Sequence, residues 1–200
     1  MMKFELLNSL IEKFVKFPGV GRKTAERYVF HILDMKADEV EELVDSMKYL
    51  KERVCNCKQC NNLTEDEFCD ICKSGNRDSS LLCVVEEPKD LIAIEKAGCF
   101  KGKYFVLLGV LSPLDGVGIE DIKLNELFCY VKSNSTIKEI IISTDADAEG
   151  ESTAYYIMKL LKPLGRKVSR IGMGLPVGAD LEFIDRNTLQ EAFKGRKEIL

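Results

Sequence analysis

Four cysteines constrain this chain more tightly than any other feature. Cys57-x₂-Cys60 and Cys69-x₂-Cys72 are separated by eight residues. A knuckle of that length has too little apolar material to fold on a core of its own, so a bound metal has to replace the core and orient what flanks it. Two C-x₂-C pairs at this distance have the spacing of a four-thiolate zinc site, and in a chain that reads as cytosolic this outweighs a disulfide pairing. Cys55 lies two residues upstream and offers an alternative to Cys57, at the cost of the less usual C-x₄-C turn. Residues 61–68 carry Glu65, Asp66 and Glu67 and no basic residue, which favours a structural staple over a DNA-contacting finger. Of the remaining thiols, Cys83 falls in an apolar strand pattern and Cys129 in an amphipathic helix, where a free cysteine is commonly a small core residue. Cys99 has no evident partner.

With 200 residues and 46% apolar content, the chain has the composition of a globular protein of one domain or a few small ones. Lys3, Glu5, Glu12, Lys13 and Lys16 interrupt any leader-like apolar run near the start, and no stretch of eighteen apolar residues occurs. The expectation is a soluble cytoplasmic protein with no membrane partner. A net charge of −4 argues weakly against nucleic acid, but residues 1–36 hold seven Lys or Arg against four acids. A basic end on an acidic body is compatible with local phosphate binding.

Within that basic end, Phe4, Leu7, Ile11, Phe14 and Val15 recur at helical spacing and the pattern stops at Phe17-Pro18-Gly19-Val20-Gly21. A second helix is expected over about residues 22–33. Helix, Pro-Gly-Val-Gly, helix is the helix-hairpin-helix pattern, in which Gly19 and Gly21 let backbone N–H groups reach phosphate oxygens at the second helix's N-terminus. Lys23 and Arg27, four apart, share a face and extend that contact along a DNA backbone. A tight turn between two helices with solvated cations is the plainer alternative. Such a site reads phosphate and not base edges, so binding is expected to be sequence-tolerant and salt-sensitive.

A third helix over about residues 38–53, capped by Asp38 with Glu41 three residues on, is expected to bury Val40, Leu43, Val44, Met47 and Leu50. His31, the only histidine, reads as a packed or surface residue, and its solitude excludes histidine-pair metal sites.

From residue 81 the pattern alternates: strand 81–85, helix 88–97 with Pro88 in its first turn, strand 104–108, helix 119–132, strand 139–143, helix 151–161, strand 167–171. This predicts a parallel sheet with crossover helices. The Gly-rich loop 111–118 has no G-K-[ST] lysine and is no Walker A loop. At the carboxyl end of strand 139–143 stands Ser143-Thr144-Asp145-Ala146-Asp147-Ala148-Glu149-Gly150-Glu151, where open α/β sheets bind ligands. An acidic run here can simply complement a helix dipole. Two clustered carboxylates, with Glu86 brought alongside from the end of strand 81–85, can instead hold Mg²⁺ for phosphoryl chemistry. The arrangement resembles the Toprim domain of topoisomerases, primases and some nucleases; the resemblance puts Glu86 at the acid/base position and Asp145 with Asp147 at the metal positions.

The order of modules, multi-module α+β and α/β in class, resembles the RecR family of recombination mediators over essentially the whole chain. The strings that carry this are Phe17-Pro-Gly-Val-Gly-Arg-Lys-Thr-Ala-Glu-Arg27, Cys57 to Cys72, Leu111-Ser-Pro-Leu-Asp-Gly-Val-Gly118 and Gly174-Leu-Pro-Val-Gly-Ala-Asp-Leu-Glu182, followed by Thr188-Leu189. Expected domains are a helix-hairpin-helix DNA-binding unit (1–53), a zinc module (54–76), a Toprim domain (77–173) and a C-terminal oligomerisation segment (174–200). The resemblance implies a ring-like homotetramer on DNA with single- and double-stranded parts, working without turnover alongside RecO or RecF to load RecA. The Toprim surface, including Glu149 and Glu151, would then recruit a partner. One departure stands out: family members commonly have a Thr-Asn-Pro type sequence where this chain has Thr144-Asp145-Ala146-Asp147. The retained acids keep Mg²⁺ binding open, with a small Mg²⁺-dependent nuclease as the alternative function. A type IA topoisomerase is excluded by length, and Tyr155 and Tyr156 fall in a helix as core or boundary residues.

Overall fold

The computed structural model describes residues 4–196. The chain divides into two compact units, Met1–Val54 and Cys55–Leu200.

The first unit is helical. Helices α1 (Glu5–Val15) and α2 (Arg22–Asp34) pack through Ile11, Ala25 and Val29, with Leu7, Leu10, Phe14, Val15 and Val20 around them. The spacing of these residues places them on one stripe of each helix. Helix α3 (Ala37–Arg53) departs from expectation twice. Its N-cap is Lys36, whose backbone N–H donates to Glu39 Oε2 at 3.2 Å, so Asp38 lies inside the first turn. Its apolar stripe is not buried: Leu43, Val44, Met47 and Leu50 are all exposed. Periodicity identifies the stripe correctly but cannot say whether it is covered, and among the described residues it stays exposed.

The second unit begins with a small hairpin, β1 (Cys55–Asn56) against β2 (Leu63–Thr64), and a single turn of helix, α4 (Asp70–Lys73). A four-stranded parallel sheet follows, built from β3 (Asp78–Val85), β4 (Gly102–Val106), β5 (Glu139–Ser143) and β6 (Lys167–Arg170) in the order β4-β3-β5-β6. Connecting helices are α5 (Pro88–Ala97), α6 (Leu124–Ser133) and α7 (Ala148–Leu161), and α8 (Arg186–Lys194) closes the described chain. The two-residue period of the strands sorts the core. Leu82, Val84, Phe105, Ile140 and Ile142 face one side with α6 and α7, while Cys83, Val85, Tyr104 and Val106 face the other with Leu91 of α5. These strands are buried on both faces, as parallel strands generally are.

Cys83 is in the core as expected, but Cys129 is exposed, on the outer side of α6. Helix α6 starts five residues later than its apolar spacing suggests. Asp121 accepts from Gly118 N at 2.7 Å and Leu107 O accepts from Lys123 N at 2.9 Å, so residues 118–123 are held as turns against the sheet and bury Ile122 there. Strand β4 ends at Val106, and the left-handed backbone of Leu108 (φ 61°) turns the chain out of the sheet.

Candidate functional site

Three residue groups stand out for chemistry, beginning with the hairpin between α1 and α2. Val20 N donates to Phe17 O at 3.1 Å, with Pro18 and Gly19 (φ 76°) between them. Proline followed by a positive-φ glycine is the type II turn. Gly21 then serves as N-cap of α2 with no side-chain cap. The first N–H groups of the helix are left available to an anion, and the helix dipole favours one there. Lys23 and Arg27 are exposed on this helix, and among the described residues neither enters an ion pair, whereas Arg22 is held by Glu12 and Glu26. The arrangement can grip a phosphate.

In the cysteine group, the ligand atoms of Cys57, Cys60, Cys69 and Cys72 lie within 4.8 Å of one another. Four sulfurs at about 2.3 Å from a tetrahedral zinc stand roughly 3.8 Å apart, so the set fits the ion closely. Cys57, Cys60 and Cys69 are buried, and Cys69 N donates to Cys57 Sγ at 3.3 Å. Cys60 and Cys69 Sγ are 3.5 Å apart. That contact raises the Cys60 thiol, with the neighbouring Cys72 thiol and burial adding to it, and holds Cys69 down. Cys55 is outside the set; it is exposed and its thiol faces Asp66 O at 3.6 Å.

The acidic edge lies where β3 and β5 end. Glu86 is 9% exposed, and its Oε1 accepts from Asp145 N at 2.8 Å, so the parallel sheet does bring the two segments together. Burial raises the Glu86 carboxyl above the usual range, and the Asp145 and Asp147 charges add to it against the opposing N–H bond. Asp147 is the N-cap of α7, its Oδ1 accepting from Gly150 N at 2.8 Å, while Asp145 is exposed. Among the described residues the four cysteines form the one group of three or more Cys, His, Asp or Glu placed to share a metal ion, and Glu86, Asp145 and Asp147 do not form a second. Glu149 accepts from Ser112 Oγ of the 111–118 loop, and Glu151 pairs with Arg170 Nη1 at 2.5 Å. Arg170 also donates to Asp145 O at 3.1 Å.

A cleft of about 820 Å³ opens over this edge, lined by Asp90, Asp145, Asp147, Glu151 and, from α8, Glu191 among others. Among the described residues no lysine or arginine lines it. A lining of this sign suits a cation better than a phosphate. The roles of Ser112, Thr144 and Arg170 are not legible in the sequence. Thr144 Oγ1 donates to Gly150 O at 2.8 Å, and only the folded sheet brings Arg170 to the loop before α7.

Comparison with known proteins assigns all four segments. Residues 7–50 match the family described as RecR, helix-hairpin-helix; residues 54–74 match the four-cysteine zinc finger domain of RecR; residues 80–172 match Toprim domain; residues 174–197 match RecR, C-terminal. Recombination protein RecR of Chlorobaculum tepidum is 49% identical over 197 residues, covering 96% of this chain and 97% of that protein. Recombination protein RecR of Natranaerobius thermophilus is 47% identical over 193 residues, covering 96% of each. With that identity along nearly the whole length, and the hairpin, four-thiolate set and sheet edge in the same order, the chain belongs to the RecR family of recombination proteins.

Proposed function

We propose that this protein is a DNA-binding recombination mediator that acts without turnover in recombinational repair in the cytoplasm. The observation that carries this is the uncapped N-terminus of α2 behind a type II turn, with Lys23 and Arg27 exposed beside it. Gly19 and Gly21 give the backbone access, Lys23 and Arg27 extend the grip, and the preferred DNA has both single- and double-stranded parts. Family membership supports a ring-like homotetramer that assists RecA loading with RecO or RecF. The exposed apolar stripe of α3 and the exposed Leu181, Phe183 and Phe193 near the C-terminus are surfaces that an oligomer would cover.

The working division is 1–53 for DNA, 54–76 for one structural zinc on Cys57, Cys60, Cys69 and Cys72, 77–173 for the Toprim unit and 174–200 for assembly. The acidic edge is a partner-recruiting surface in which Glu149 and Glu151 take part and Glu86, Asp145 and Asp147 can hold hydrated Mg²⁺. Its carboxylates draw a basic partner and keep DNA on the other unit's hairpin.

The test pairs two assays on the same nicked, gapped and single-stranded substrates. Binding without cleavage in Mg²⁺ or Mn²⁺ is expected. Metal-dependent cleavage abolished by Glu86→Gln would replace the mediator by a nuclease.

A further inference from the structure

Lys103 is the second residue of β4 and is 9% exposed. Its ammonium donates to three backbone carbonyls, Ile71 O at 2.7 Å, Ser74 O at 2.9 Å and Cys72 O at 3.1 Å. No carboxylate pairs with it among the described residues. A buried charge normally has an opposite charge nearby, because carbonyl dipoles alone replace only part of its lost hydration. The carbonyls it grips flank and include the zinc ligand Cys72. Four thiolates around one divalent zinc carry a net charge of about −2, itself costly to bury.

The other half of the ligand set is tied to the same strand. Val106 N donates to Cys60 O at 2.8 Å, and Asn61 Nδ2 donates to Val106 O at 3.1 Å. The cysteine module therefore covers the β4 edge at two points, through a backbone bond at Cys60 with the Asn61 side-chain amide beside it, and through a cation at Cys72.

We propose that Lys103 is the buried counter-charge of the four-thiolate centre and so couples metal occupancy to the edge of the parallel sheet. The proposal rests on the zinc reading of the four cysteines. With metal bound, thiolates and ammonium neutralise one another in the same desolvated volume. With the metal gone, the four sulfurs are no longer held together as one charged centre, and Lys103 keeps its carbonyl bonds. Its charge thus favours the loaded form and disfavours the empty one. A residue acting only through its hydrogen bonds would support both forms equally.

The test uses the full-length protein with Lys103→Gln, which removes the charge and keeps donors, and Lys103→Arg, which keeps the charge. Zinc content, zinc affinity by competition with a chromophoric chelator, and melting with and without metal are measured. Lys103→Gln is expected to lower zinc affinity by at least about tenfold, the usual scale for groups that support metal ligands, and Lys103→Arg to restore most of it. The loss of melting temperature in Lys103→Gln should be larger in the loaded protein than in the empty one. Unchanged affinity in Lys103→Gln, or an equal melting loss in both forms, overturns the proposal. A parent protein that binds no zinc overturns the zinc reading beneath it, which metal analysis reveals before any variant is made. If Lys103→Gln does not fold, Lys103→Met carries the same expectations.

Discussion

Gly150→Ala isolates the packing that holds the acidic edge together. Gly150 is the third residue of α7 and is buried. A Cβ there would lie 2.2 Å from Asp145 O and 2.9 Å from Glu86 Oε1. A carbon and an oxygen not bonded to each other stay beyond about 3 Å, so the helix start or the 143–147 loop has to move by roughly 1 Å. Neither has slack. Asp145 O accepts from Arg170 at 3.1 Å, Asp145 N donates to Glu86 at 2.8 Å, and the Asp147 cap on Gly150 N is 2.8 Å long. Overpacking of this kind costs about 1–3 kcal/mol, loss of the cap adds about 1, and the better helix propensity of alanine returns at most about 1. The net loss is about 2 kcal/mol, roughly a 5 °C fall in melting temperature for a chain of this size. Thermal unfolding followed by circular dichroism measures it. Gly75→Ala is the control, because a Cβ there meets nothing within 4 Å. A Gly150→Ala protein as stable as its parent would refute the close approach, and with it the tie between Glu86 and the loop.

Three further outcomes follow from the same geometry. Metal analysis should give one zinc per chain in the parent and in Cys55→Ser, but a clear loss in Cys69→Ser; a loss in Cys55→Ser instead would return Cys55 to the ligand set. Glu86 has a folded-state pKa raised by burial above the ordinary 4.5, so its stabilising contribution is complete below that value and is lost as pH rises through the folded pKa. Relative to the parent, Glu86→Gln should therefore melt progressively higher as the pH is raised from about 4 to about 8, and a trend of the opposite sign contradicts the desolvated placement of this acid. Leu43→Glu with Met47→Glu on α3 should shift the molecular mass in analytical ultracentrifugation toward the monomer while the far-ultraviolet spectrum is retained, and an unchanged mass would remove that stripe from the oligomer contacts.

How much of this is legible in the sequence depends on the range of the physics involved. The four-thiolate set, the hairpin turn and the alternation of strands and helices rest on spacings of two to about a dozen residues, and those spacings are written directly in the chain. The start of α6 escapes such a reading because Ile119 and Ile122 fit a helical stripe, while the local turn from Gly118 to Asp121 that competes with the helix is fixed by the long-range bond from Lys123 N to Leu107 O. The partners of the acidic string come from far away: Ser112 reaches Glu149 across 37 residues and Arg170 reaches Asp145 across 25. Lys103 is invisible for the same reason, since one lysine in a strand gives no sign that three carbonyls of the cysteine module close over it.

The central claim is that the hairpin of the first unit, and not the acidic edge, holds DNA. It is tested most directly by the salt dependence of binding to a gapped duplex, measured by fluorescence anisotropy for the parent and for Lys23→Ala with Arg27→Ala. Each phosphate contact contributes about 0.9 to the slope of log affinity against log salt on duplex DNA. The parent should show a steep negative slope, and the double variant should bind more weakly at every salt concentration with a slope shallower by about 2 for each hairpin engaged. Unchanged affinity and slope in the double variant would contradict the account.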